Sequence, residues 1–308
     1  MKATFPIQAE LTAIAIAYRN TRLIADEVMP RVPVGKSEFK YFKYAMAEGF
    51  TLPDTRVGRK SKPNQVEFSA TEETASVEDY GLDDPIPISD INNAPPNYDP
   101  EGRAVEGIMD LVLLDREVRV ANMVFNAANY GAANKVTLSG TDQFSDFSNS
   151  DPVERLTACL DACIMRPNAM TIGRPAFSVL ARHPMILKAI NRNSGDAGIA
   201  TRQAIADLFE LEEVLVGEAW VNTAKKGQTA SLSRAWGKHI SLQYRNKLAD
   251  TRRGMTFGLT AQHGGRIAGS TFDKNIGLRG GKEVRAGESL KELILANDLG
   301  YFIQDAVA

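Results

Sequence analysis

Residues 99–128 read DPEGRAVEGIMDLVLLDREVRVANMVFNAA, and this stretch carries the strongest helix signal in the chain. Asp99 and Pro100 stand where a helix takes its N-cap and its first-turn proline. Leu111, Leu114, Val118, Ala121, Phe125 and Ala128 then follow at steps of 3, 4, 3, 4 and 3, which puts them on one stripe. About thirty helical residues would span roughly 45 Å, a rod long enough to serve as the backbone of an elongated domain. An ordinary long core helix accounts for the same stripe.

Ahead of the helix the charge is sorted by sign. Residues 63–102 contain no Lys or Arg but ten carboxylates, among them Glu67, Glu72, Glu73, Glu78, Asp79, Asp83 and Asp84. Residues 31–62 hold eight bases against three acids, so plus five sits beside minus ten. Such polarity suits a surface that meets copies of itself, because opposite patches steer partners together and fix their register. An uneven, solvated surface is the competing reading.

Within the basic block, FKYFKYAM (residues 39–46) alternates at a two-residue step and reads as a strand, followed by punctuation at Gly49, Pro53, Gly58 and Pro63. The return segment, residues 66–77, is polar, Thr-rich and acidic. The pair therefore reads as a long two-stranded loop with a basic tip at Arg56, Arg59, Lys60 and Lys62. A two-stranded ribbon is marginal alone in water and needs something to lie on. The tip is the candidate donor surface, and Glu67, Glu72, Glu73, Glu78, Asp79, Asp83 and Asp84 form the candidate acceptor patch on another copy.

The remainder reads as α+β. Residues 9–20, AELTAIAIAYRN, make a short helix or arm without a core of its own, and Pro30 and Pro33 force an extended path after it. Residues 131–150 read as a polar loop, and Asp151-Pro152 restarts a helix in DPVERLTACLDACIM. Short helices near 177–181, 184–190 and 202–209 then mix with strands near 169–172, 214–216, 239–244 and 255–260. The last segment, 290–307, has Leu293, Leu295, Leu299, Tyr301, Ile303 and Val307 on one parity and reads as a closing strand.

Composition narrows the function. The 308 residues are 44% hydrophobic and 24% charged, which fits a folded domain with a sizeable core. A net charge of -2 supplies no global drive toward nucleic acid. Residues 13–18 are too short an apolar run to span a membrane, and no signal-peptide pattern follows Met1, so a cytosolic product without an anchor is expected. Cys159 and Cys163, four apart on a helix, read as two buried reduced thiols.

Catalytic signatures are missing from the sequence. His183, His239 and His263 lie at no metal-ligand spacing, and there is no HExxH, CxxC or GxSxG. GLRGGKE (277–283) lacks the first glycine of a phosphate loop and has Glu where Ser or Thr would hold magnesium. The adjacent pairs Glu72-Glu73 and Asp83-Asp84 point to opposite faces of an extended chain and read as solvated. FKYFKY has the aromatic and basic content of a single-strand nucleic-acid binder, yet its flanking acids favour a protein–protein role. No catalytic, cofactor-binding or metal-ligating residue is assigned.

The order of parts resembles a known family. IADEVMPRVPV (24–34) in an apolar arm, the two-stranded loop, the helix from Asp99, the mixed region after Arg166 and the closing ELILANDLGYFIQDAV (292–307) together resemble the major capsid proteins of tailed bacteriophages with the Hong Kong 97-type fold. No single motif is diagnostic, and the ordered set carries the resemblance. It implies an N-terminal arm (1–35), an extension loop (36–80) lying across a neighbouring subunit, a peripheral domain with a spine helix (81–166), an axial domain (167–269), and return strands to the peripheral domain (270–308). It further implies pentamers and hexamers of an icosahedral shell around double-stranded DNA, in a virion assembled in the host bacterial cytoplasm. Since the arm begins almost at Met1, a scaffold and any maturation protease are expected as separate chains; a portal, a decoration protein and non-specific contact with the packaged double-stranded DNA complete the expected partners. Some relatives join subunits by Lys–Asn bonds; Lys36, Lys40, Lys43, Lys60, Lys62 and Asn275 match no such motif here, and no cross-linking residue is assigned. The alternatives are an encapsulin-type nanocompartment shell and, from another class, a cytosolic enzyme whose site shows no motif.

Overall fold

The computed structural model describes residues 5–44, 52–65, 70–191, 198–225 and 227–308. Its central element is the helix Pro100–Val124, which begins as expected: the Asp99 side chain accepts a hydrogen bond from the Glu101 amide at 3.1 Å, and Pro100 fills the first turn. Its 25 residues give a rod of about 37 Å. The buried face differs from the expected stripe. Val105, Ile108, Met109, Val112, Leu113, Val120, Ala121 and Val124 are buried, whereas Leu111 is 56% exposed and Leu114 and Val118 are half-buried. The stripe is displaced because Arg116 and Glu117, at 1% and 0% exposure, occupy the core-facing positions.

Two sheets flank this helix. In chain order the strands of the first half are β1 (Arg31–Val34), β2 (Glu38–Tyr44), β3 (Ala70–Ser76), β4 (Glu78–Pro87), β5 (Lys135–Thr137) and β6 (Ala169–Gly173). They are followed by β7 (Glu213–Gly217), β8 (Trp220–Asn222), β9 (Leu232–Arg234), β10 (Ile240–Gln243), β11 (Gly258–Asp273), β12 (Gly281–Ile294) and β13 (Gly300–Gln304). The first sheet has the order β1-β11-β12-β4, with β1 parallel to β11 and the other pairs antiparallel. The second has the order β5-β13-β10-β6-β7. The strands β2 and β3 make the extension hairpin, and β8 and β9 a smaller one.

The arm helix Ala9–Ala17 lays Leu11 and Ala15 on the first sheet and on the long helix, in a cluster with Val105, Ile108, Met109, Ala268, Val284 and Ala286. The second sheet carries the larger core, which includes Leu156, Met170, Ile172, Phe177, Leu180, Ile205, Leu242 and Ile303.

Several expected boundaries move. The cut between 269 and 270 falls inside β11, which pairs with β12 from Gly258 to Asp273, and the interruption between His263 and Ile267 is a bulge at which Gly264 adopts φ +67°. The closing strand 290–307 is two strands in two sheets, because the chain crosses between them through a short 3-10 turn, Asn297–Leu299. The helix Pro152–Asp161 packs in the second core, and β5, from the expected loop 131–150, joins the second sheet. Parts of the expected strands 39–46 and 66–77 lie outside the described residues.

The two bodies meet at residues 24–31. Glu117 accepts hydrogen bonds from the amides of Ile24 (3.0 Å) and Ala25 (2.8 Å) and from the Trp236 indole (2.5 Å). Arg116 pairs with Asp26 and donates to the Met29 carbonyl (3.2 Å) and Thr260 Oγ1 (3.0 Å). Arg31 bridges Asp26 to the fully buried Glu288, which also accepts from Arg266. Arg245, at the end of the second sheet, reaches back to the Glu27 carbonyl. Burial pulls the carboxyls of Asp26 and Glu288 upward, but the guanidiniums of Arg116 and Arg31 outweigh it and hold both below the usual range. Glu117 goes the other way: burial raises it, and its three N–H donors do not fully offset that.

His183 illustrates how the second core closes its helix ends. Its Nδ1 accepts the Met185 amide (3.2 Å) at the start of helix Pro184–Asn191, and its Nε2 faces Ser150 Oγ at 3.0 Å. An accepting Nδ1 leaves the neutral ring's proton on Nε2, which donates to Ser150, whose hydroxyl donates to the Asp146 carbonyl (2.7 Å). Burial holds the imidazole below its ordinary value of 6.5.

The buried polar groups give two testable predictions, and an exposed pair on the long helix gives a third. Replacing Arg116 by Ala leaves Asp26 with Arg31 and Glu292 with Arg119 but breaks the buried hydrogen bonds of its guanidinium, and urea titration of unassembled subunits should show a loss of about 2–3 kcal/mol. Arg103→Ala, which removes an exposed partner of Glu106 on the same helix, should cost less than about 0.5 kcal/mol. Because the folded state depresses His183, its contribution is complete above the unfolded value of 6.5 and lost as pH falls through the lower folded one. The pH dependence of melting should therefore flatten in that window for His183→Gln.

Candidate assembly surfaces

The extension hairpin is anchored at its base to its own subunit. Tyr41 is buried on Leu259, Leu293 and Leu295, with Val32, Phe39 and Ala75 around it, and the Phe42 amide donates to the Thr251 carbonyl at 3.0 Å. The surface that a marginal ribbon needs is thus partly intramolecular. The strands are stitched by charge: Lys40 pairs with Glu72, and Glu73 accepts from Lys43 (2.9 Å) and the Tyr41 hydroxyl (2.5 Å). Burial and the neighbouring Glu73 push the Tyr41 phenol up to about 12, while the Tyr41 and Lys43 hydrogen bonds hold Glu73 below its ordinary value.

The tip is a separate, self-closed loop. Ser61 donates to the Gly58 carbonyl (2.9 Å), Asn64 Nδ2 to the Asp54 carbonyl (2.8 Å), and the Arg56 amide to Asp54 Oδ1 (2.9 Å). Arg56, Arg59, Lys60 and Lys62 are all exposed on this loop, together with the 90% exposed Leu52 and the half-open Val57. Among the described residues none of these four cations makes an ion pair.

The acidic run is not one patch. Glu72 and Glu73 face β2 as above, Glu78 pairs with Lys291 (2.6 Å), Asp79 accepts from Ser289, and Asp83 takes both nitrogens of Arg285 at 2.5 and 2.6 Å. The sign segregation along the sequence is therefore largely cancelled in space, as Arg285 stands directly opposite Asp83 and Lys40, Lys43 and Lys291 reach the acids of β3 and β4 from neighbouring registers. Asp84 pairs with Val284 in the ladder, its carboxylate makes no hydrogen bond or ion pair among the described residues, and Glu67 lies outside them. Sequence reading did not find these cross-strand partners, because Arg285 and Lys291 are about two hundred residues away. The outer edge of β4 also carries Pro85 and Pro87, which lack the N–H that an added strand would need.

Groups with chemical potential elsewhere are structural. His183 donates to Ser150 and so cannot take its proton. Burial pushes the thiol of Cys159 up to about 11 and that of Cys163 up to about 12, far from a reactive thiolate. Among the described residues no group of three His, Cys, Asp or Glu is placed to hold a metal ion, and no helix is long and apolar enough to cross a membrane.

Comparison with known proteins supplies the context for these surfaces. No family model matches the chain. It is 60% identical over 306 residues to the major capsid protein of Pseudomonas phage JBD67, covering 99% of each chain. It is 28% identical to the major capsid protein of Burkholderia phage BcepMu, over 95% of this chain and 94% of that one. In fold it resembles a phage-related protein from Bordetella bronchiseptica, with a TM-score of 0.77 at 23% identity over 99% and 98% of the two chains. A chain of the cyanophage P-SCSP1u capsid gives a TM-score of 0.60 at 9% identity, over 94% and 89%. An arm, an extended hairpin, a long helix and two sheets, in a chain this close to a full-length relative, make it a member of the phage major capsid proteins with the Hong Kong 97-type fold.

Proposed function

We propose that this capsid subunit, a virion component, closes into pentamers and hexamers of an icosahedral shell around double-stranded DNA, and that its basic hairpin tip is one of the contacts between copies. The observation that carries the reading is the tip itself: a self-closed loop with four exposed cations that no acid of its own subunit neutralises among the described residues. Charge left open on a projecting element favours a partner of opposite sign and guides its approach. The role is structural and non-enzymatic, consistent with the inert settings of Cys159, Cys163 and His183.

In this reading the arm, the long helix and the first sheet form the peripheral part, and the second sheet with its helices the axial part that meets around the symmetry axes. Residues 36–80 form the extension loop. Scaffolding, portal and decoration proteins act as separate chains, and assembly takes place in the host bacterial cytoplasm. DNA is confined by the closed wall more than it is gripped, since the subunit's net charge is -2.

Purified subunits, supplied with a scaffold partner, should sediment as large assemblies and appear as closed shells by electron microscopy. Reversing Arg59 and Lys60 to Glu should leave subunit melting nearly unchanged and suppress shell formation, with raised salt weakening wild-type assembly in the same direction. Shells from the double reversal at wild-type yield would exclude the tip from assembly. Unassembled subunits should bind double-stranded DNA more weakly than about micromolar at physiological salt, as measured by fluorescence anisotropy.

A further inference from the structure

The carboxyl ends of two strands in the second sheet gather arginines far from the hairpin in sequence. β6 and β7 run parallel with Gly173 level with Gly217, so the residues that follow, Arg174 and Glu218, emerge side by side. A Cβ at Gly173 would collide with the carbonyls of Trp236 and Gly237, and its absence lets that segment lie over the strand end. Arg234 comes with it, opposite Trp220 in the β8–β9 register. Arg202, at the start of helix Arg202–Leu208, completes the group.

Three guanidiniums thus meet one acidic residue. Glu218 Oε1 accepts from Arg174 Nη1 (3.1 Å) and from Arg202 Nη2 (2.6 Å), and the Glu218 carbonyl accepts from Arg234 Nη1 (2.8 Å). Among the described residues no other acid pairs with any of the three, so three positive charges face one negative. Aromatic rings set the guanidinium planes. Arg234 lies 4.1 Å from the Trp220 ring centroid, and Arg174 and Arg202 lie 5.6 and 6.0 Å from that of Phe177. The group is open to solvent, with 40% of the Arg174 side chain, 50% of the Arg202 side chain and 50% of Trp220 exposed.

We propose that this group binds phosphate oxyanions. Guanidinium forks match phosphate oxygens two at a time, and stacking on a ring reduces the freedom an arginine loses on binding. The space outside the carboxyl ends of parallel strands is also where sheets with crossover helices seat ligands. Glu218 aims the forks of Arg174 and Arg202 at one point and at the same time repels an arriving anion, so it sets the affinity. Nucleic-acid backbone and free polyphosphate share this chemistry. The half-open Trp220 ring separates them, since it can stack a base and has nothing to offer a bare polyphosphate.

Tripolyphosphate and an oligothymidylate, titrated into unassembled subunits at constant ionic strength, test the site by calorimetry and melting. Tripolyphosphate should bind and raise the melting temperature. Arg174→Gln with Arg202→Gln should weaken its binding about tenfold or more, while the reversed tip, Arg59→Glu with Lys60→Glu, leaves it unchanged. Glu218→Gln should bind it severalfold more tightly, the opposite of what a purely structural ion pair predicts. A Trp220→Ala variant that loses oligothymidylate but keeps tripolyphosphate identifies nucleic acid as the source; one that changes neither affinity identifies free polyphosphate. No binding of tripolyphosphate, binding that survives the glutamine pair, or weaker binding by Glu218→Gln would each overturn the site. Should the glutamine pair block shell assembly while wild-type subunits bind no tripolyphosphate, the arginines meet carboxylates of another copy and the phosphate site falls. Glu218→Gln keeps every arginine, so its result stands even if the glutamine pair melts early.

Discussion

The structure depends on a pair of neighbouring charges in the middle of its longest helix. Arg116 and Glu117 are almost wholly buried, and between them they satisfy the arm's backbone at Ile24, Ala25 and Met29, the Asp26 carboxylate, Thr260 of the first sheet and the Trp236 indole beside the second. Burying ions costs solvation, and well-packed apolar residues would often be as stable. What the charges add is direction. Each guanidinium and carboxylate bond fits one arrangement of arm, helix and sheets, so a slipped helix would leave several buried donors and carboxylates without partners. Gly217 serves the same joint, since a Cβ there would collide with the Trp236 ring.

The extension hairpin shows why a linear map of charge misleads. Ten acids without a base look like a patch, yet most of those on β3 and β4 meet Lys40, Lys43, Arg285, Lys291 or Ser289 across a ladder. Antiparallel pairing brings distant segments together, and here it lays acidic strands beside bases at facing or neighbouring registers. The tip escapes this cancellation because it is folded on its own backbone through Asp54 and Asn64 and, among the described residues, has no ladder partner to answer its charge.

The parts legible in the sequence were those whose signals are local. The helix start at Asp99-Pro100, the capped helix from Asp151-Pro152, the short elements between 169 and 216 and the basic tip all follow from neighbours within a few residues. The long β11–β12 pair was hidden because Gly264, Gly265, Gly269, Gly281 and Gly287 interrupt the alternation that marks a strand. Those glycines are explained in three dimensions: a Cβ at Gly269 would collide with the Pro6 carbonyl, and one at Gly287 with the Tyr80 carbonyl. The crossing at 295–299 was hidden for a related reason, since Leu293 and Tyr301 share a parity but belong to different sheets.

The misplaced helix stripe has a physical explanation that bears on assembly. Apolar residues surround much of the long helix, so a reading by period could settle on Leu111, Leu114 and Val118 as readily as on Val105, Ile108 and Val112. The folded subunit covers the second set and leaves the first partly open. A helix apolar over more than one face suits an interior, and in a single copy this helix is interior on one side alone. The open side is tolerable in a free subunit because Asp84 and Asp90 border it near Leu111, and Asp115 lies farther along the helix.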